Sequence, residues 1–133
     1  MKALTGFFVM LFIFLFVHAK NPAPEINTQI NYGDKVSSFR IYERSGVQYF
    51  SFNDSYGKTS DGQLSKSGYE FIVKKVNETL ALDSNDIAYC RRQFISVKAV
   101  KNGKAVEKKS CIGSATKVAK RMADLANTLQ LLL

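Results

Sequence analysis

Hydrophobic residues follow three rhythms along this chain. From Ala3 to Val17 they are nearly continuous, from Ile26 to Phe52 they mostly alternate with polar residues, and in two later segments they recur every three or four positions. A period of two marks a strand with one buried face, and a period near 3.6 marks an amphipathic helix. Alternation is clearest from Val36 to Asn53, where two apolar-rich runs flank Ser45-Gly46. A two-residue hairpin loop there pairs Arg44 with Val47, Phe39 with Phe52 and Ile41 with Phe50. All four large apolar side chains then share one face. The other face carries Arg40, Tyr42, Arg44 and Tyr49, with Tyr42 directly across from Tyr49. A slip of one residue would turn every side chain to the wrong side, so the separation of faces fixes the register. Ile26, Thr28, Ile30 and Tyr32 alternate too, and residues 20–35 read as an irregular lead-in or a short edge strand. Asn53 to Gln63 has polar loop composition.

Helical spacing appears twice. Tyr69, Ile72, Val73, Val76 and Leu80 form a stripe within Ser67 to Leu82, and Ser67 with Glu70 has the spacing of a capping box. Ala115, Val118, Ala119, Met122, Leu125, Ala126 and Leu129 form the second stripe, in a helix running from Ser114, its expected N-cap, to the C-terminus. Between the helices lies a second hairpin around Asn102-Gly103. A type I′ loop there pairs Lys101 with Lys104, Lys98 with Glu107 and Phe94 with Cys111.

Cys90 and Cys111 are the only cysteines, and in an exported chain they are expected to form one disulfide. A straight ladder would leave Cys90 four residues beyond Cys111's partner, ~13 Å away, whereas a disulfide holds its Cα atoms within about 7 Å. The strand must therefore end near Phe94 and the chain bend between Cys90 and Gln93, or curl back after Ser110.

Composition narrows the chemistry. Lys2, the apolar run and Val17-His18-Ala19 have the form of a secretory signal peptide, residues 1–19, cleaved after Ala19. The run is too short to span a bilayer comfortably, so the mature chain is expected to be secreted or periplasmic rather than integral to a membrane. Cleavage removes His18, the only histidine. That excludes Ser-His-Asp and Cys-His catalysis and removes the commonest nitrogen metal ligand. No metal site, cofactor or catalytic group is expected. Asp61-Gly62 resembles the middle of a calcium loop, but that alignment puts Gly57 and Gly68 where its first and last carboxylates belong. Asn53 and Asn77 begin glycosylation sequons, meaningful only in a eukaryotic secretory pathway. Charge is uneven: residues 87–133 hold ten Lys and Arg against two acidic residues. Such asymmetry suits an anionic partner, with Arg91, Arg92, Lys98, Lys101, Lys104, Lys108 and Lys109 as contacts, extended by Lys117, Lys120 and Arg121.

The expected fold is α+β: residues 36–133 form one two-layer ββαββα domain, an antiparallel sheet of four or five strands with both helices on one face. The expected function is that of a small exported non-catalytic binding or inhibitory protein. Its partner would be a protein or cell-envelope component, bound through Arg40, Tyr42, Arg44 and Tyr49 or the loop at residues 53–63. The alternative is a binder of polyanions (nucleic acid, anionic lipid or acidic polysaccharide) through the basic C-terminal half.

Overall fold

The computed structural model describes residues 24–82, 90, 93–101 and 103–133; the segment expected to be a signal peptide, Arg91, Arg92 and Asn102 lie outside them. Among the described residues six strands and two helices follow one another: β1 (Glu25–Tyr32), β2 (Lys35–Arg44), β3 (Val47–Asp54), β4 (Thr59–Gln63), α1 (Lys66–Leu80), β5 (Gln93–Lys101), β6 (Lys104–Cys111) and α2 (Lys117–Gln130). The fold is α+β with an antiparallel sheet, as the alternation implies. It has six strands, however, and the order is ββββαββα rather than ββαββα.

Strand order across the sheet is β4-β3-β2-β1-β5-β6. The stretch read as a lead-in or edge strand is thus the central bridge. β1 pairs along its length with β2 on one side and with β5 on the other, Thr28 standing opposite both Phe39 and Val97. The first hairpin keeps the register set by its alternating faces, with Phe39 opposite Phe52 and Tyr42 opposite Tyr49. Its loop has positive φ at both Ser45 (52°) and Gly46 (77°), the backbone a type I′ turn demands. β4 is the other addition. Thr59 to Gln63 looks like a loop by composition, yet it pairs with β3 from Tyr49 to Asn53. A Cβ on Gly62 would come within 2.8 Å of the Phe50 ring, so only glycine lets β4 lie against that side chain.

One core joins the layers. Ile26 and Ile30, Phe39 and Ile41, Phe50 and Phe52, and Ile95, Val97 and Ala99 all point to the same sheet face. Tyr69, Ile72 and Val76 of α1 and Val118, Met122, Leu125, Ala126 and Leu129 of α2 close over them. The N-caps fall two residues from the expected serines. Ser65 accepts the Gly68 amide (3.0 Å) in place of Ser67, and Thr116 accepts the Ala119 amide (3.2 Å) in place of Ser114. Lys75–Asp124 and Arg121–Glu78 (3.4 Å) tie the two helices together on their solvent side. Of the terminal leucines, Leu132 packs on the core and Leu131 is 87% exposed.

The β5–β6 ladder ends at Phe94–Cys111, where the cysteine arithmetic requires it to end. Cys90 lies outside the strand with its Cα 5.2 Å from that of Cys111, at disulfide distance. Closing this loop contributes roughly 3 kcal/mol in the chain-entropy model, so replacing both cysteines by serine is expected to lower the urea midpoint by that equivalent. A second substitution should act in the opposite sense. The Thr28 hydroxyl is buried among apolar neighbours without a hydrogen-bond partner. Thr28→Val removes this unpaired group and should raise unfolding free energy by about 1 kcal/mol, as read from urea denaturation.

Candidate functional site

Helices cover one face of the sheet, and among the described residues the other face is open. Alternation along each strand sends every second side chain to that open face, and the pairing sets them in cross-strand rows. One row runs Asp61, Ser51, Arg40, Asn27, Lys98, Glu107 from β4 to β6. The next runs Thr59, Asn53, Ser38, Gln29, Ser96, Lys109. Six strands at ~4.8 Å spacing make each row ~24 Å long. Serines at 38, 51 and 96 are shorter than the Arg40, Gln29 and Lys98 side chains around them. A depression of about 490 Å³ forms there, lined by Asn27, Gln29, Ser38, Arg40, Ser51, Asn53, Ser96, Lys98 and Glu107.

Charge in this trough is balanced. The Arg40 Nε donates to Glu25 Oε1 at 2.8 Å, Lys98 sits directly across from Glu107, and Lys109 Nζ lies 3.7 Å from the Glu107 carboxylate. The hydrogen bond from Arg40, more than its charge alone, holds the Glu25 carboxyl below the usual glutamate range, and the same contact raises the Arg40 pKa. Arg40 also lies over the Tyr42 ring, 4.7 Å from its centroid, while Tyr42 stacks on Tyr49 with centroids 5.7 Å apart. Arg40, Tyr42 and Tyr49 therefore form one linked cluster beside the trough, and Arg44 follows at the exposed end of β2. The four residues singled out in the first hairpin do share a face.

The basic set does not share one. Lys98 and Lys109 belong to the open face. Lys104 and Lys108 point to the helix side of β6, because Lys108 pairs with the buried Val97 and Val106 with Ala99. Lys101 closes β5, whereas Arg91 and Arg92 lie outside the described residues. Strand alternation divides a run that is continuous in sequence.

A second, smaller depression of about 320 Å³ lies on the helix side, between the β2–β3 end and the last turns of α2, lined by Lys35, Phe52, Asp54, Lys58 and Leu133 among others. Its carboxylate serves the backbone: Asp54 Oδ1 accepts the amides of Tyr56 (3.0 Å) and Lys58 (2.9 Å), which shapes the β3–β4 turn. Nearby, the Tyr56 hydroxyl donates to Asp34 (3.0 Å), and this bond raises the tyrosine's pKa. The Tyr69 hydroxyl is buried without a partner, and desolvation pushes its pKa up as well.

Among the described residues, no three His, Cys, Asp or Glu side chains gather closely enough to hold a metal ion, and no helix is long and apolar enough to cross a membrane. Comparison with protein-family models and with characterised proteins gives no match. The trough residues Asn27, Gln29, Ser38, Ser51, Asn53 and Ser96 escape a motif search, since Asn, Gln and Ser carry no catalytic signature. Their one signal is periodic: Asn27 and Gln29 are the polar half of the β1 alternation.

The Glu25–Arg40 pair allows a direct check. A lowered carboxylate pKa means its stabilisation is fully present above the unfolded glutamate value and is lost as pH falls through the folded one. Both side chains are about half exposed, so solvent screening keeps the stability effect small. The titration midpoint of the Glu25 side-chain carboxyl, followed by NMR, should lie below that of an unpaired glutamate and return to it in Arg40→Ala.

Proposed function

We propose that this protein is a small exported binding or inhibitory module that works without catalysis and holds a protein or cell-envelope partner on the helix-free face of its sheet. The observation that carries this reading is the charge-balanced polar trough. Amides and hydroxyls each offer a donor and an acceptor, so a row of them can match a polar partner surface without selecting for a charge. A few placed polar groups on a rigid base are the usual source of orientation and specificity in a binding site. Paired-carboxylate hydrolysis would need two acids about 5 to 10 Å apart across a cleft. The trough lining has the single carboxylate Glu107, opposite Lys98. A cysteine pair at disulfide distance fits an oxidising compartment outside the cytosol.

A second reading keeps the polyanion partner. It is supported by the composition of the β5–β6 hairpin, in which Lys98, Lys101, Lys104, Lys108 and Lys109 outnumber the one acid, Glu107. Their division between two faces favours a partner that wraps the hairpin over one that lies flat on it.

One experiment separates the two. The mature chain and a Ser38→Arg/Ser51→Arg variant, which fills the trough with bulk and charge, are used to capture partners from the exported fraction under identical conditions. Loss of the captured partner with an unchanged circular dichroism spectrum and melting temperature is expected. Capture that survives the double change removes the trough from the reading. Affinity that instead falls by orders of magnitude between ~50 and 200 mM salt selects the polyanion.

A further inference from the structure

The sheet has two ends, and they are built differently. β4 is five residues long, and its Gly62 lies under the Phe50 ring. β6 is eight residues long, contains no glycine or proline, and keeps an unbroken register with β5 from Lys104 to Cys111. Among the described residues it pairs with β5 alone, so the alternate N–H and C=O groups of Lys104 to Lys108 that point away from β5 form a regular edge. Natural sheets blunt such edges with short strands, bulges, proline or charge, and here charge is the device used.

That charge also defines what the edge can accept. On the helix side of β6 the order is Lys104, Val106, Lys108, with Val106 48% exposed between the two lysines. A second copy of β6 added antiparallel with Val106 opposite Val106 would set Lys104 against Lys108, and like charges directly opposite are destabilising. A strand with acidic side chains at the same spacing would meet the opposite. Main-chain hydrogen bonds would supply affinity and the alternating side chains selectivity, as in other strand additions.

We propose that the β6 edge docks an extended segment of another protein, by strand addition, in which acidic, apolar and acidic side chains at alternate positions meet Lys104, Val106 and Lys108. Lys104, Val106 and Lys108 lie on the helix side of β6, whereas the trough takes only Glu107 from that strand, on its other side, so the two can succeed or fail independently. In this arrangement the lysines both disfavour that self-pairing register and read the partner.

The test uses the ¹⁵N-labelled mature chain and a synthetic peptide, Thr-Glu-Thr-Val-Thr-Glu-Thr. Chemical-shift changes are expected in the β6 amides, with the Ser38→Arg/Ser51→Arg variant binding equally well. Methylating alternate peptide nitrogens should abolish the shifts, because it removes main-chain donors while leaving charge intact. Lys104→Glu/Lys108→Glu should weaken binding by about tenfold or more, and a peptide with lysine in place of glutamate should recover it. Three outcomes overturn the proposal: no β6 shifts at millimolar peptide, equal binding of the N-methylated peptide, or equal binding of a peptide with its glutamates adjacent. Concentration-dependent dimerisation through β6 in sedimentation runs would also overturn it, by assigning the edge to a second copy.

Discussion

β1 is the constraint on which everything else rests. It is hydrogen-bonded on both sides, and without it the three-stranded β4-β3-β2 unit would be parted from the β5–β6 hairpin, a two-stranded ribbon of a kind marginal in water on its own. Its Ile26 and Ile30 side chains lie at the middle of the core, with Ile30 fully buried. On the reverse side, Asn27 and Gln29 bridge Ser38 and Arg40 of β2 to Ser96 and Lys98 of β5. One strand therefore sets both the hydrophobic centre and the polar centre of the molecule. The period of two does this without conflict, because core and open-face residues never compete for the same position.

The two faces obey different rules. Under the helices, apolar burial drives packing, and the buried hydroxyls of Thr28 and Ser110 go without partners. On the open face charges are held in local pairs, Arg40 with Glu25 and Lys98 opposite Glu107. Exposed pairs of this kind add little stability. Their effect is on recognition, since they leave the face close to neutral within a chain that is strongly basic. Basic character is concentrated on the β5–β6 hairpin and the outer side of α2, away from the Tyr42–Tyr49 stack.

What could be read beforehand follows from how local each determinant is. The first hairpin was legible because its turn and its two alternating faces agree within eighteen residues. The conflict between a straight ladder and the cysteine spacing was legible too, since it needs only strand rise and bond reach. β1 was seen as an alternating segment but misplaced, because alternation is the same for an edge strand and a central one; its partner β5 lies far along the chain. β4 was hidden by composition: Thr-Ser-Asp-Gly-Gln becomes a strand only through pairing with β3 and the fit of Gly62 against Phe50. The trough was invisible for a related reason. Its residues come from five strands, and they converge only once β1 stands between β2 and β5.

The position of β1 also governs how the molecule can form. Its partners in β5 lie roughly seventy residues away in sequence, and non-local pairing of this kind slows folding, because loop-closure entropy is lost before contacts repay it. The first hairpin can close as soon as its own residues meet, and β1 can join β2 through a short turn at Gly33-Asp34. The other side of β1 stays an open template until residues 93–101 arrive. During that interval the nascent sheet exposes Ile26 and Ile30 together with a row of unpaired amides, an association-prone surface. A central strand made first and completed late thus turns the order of synthesis into a waiting time.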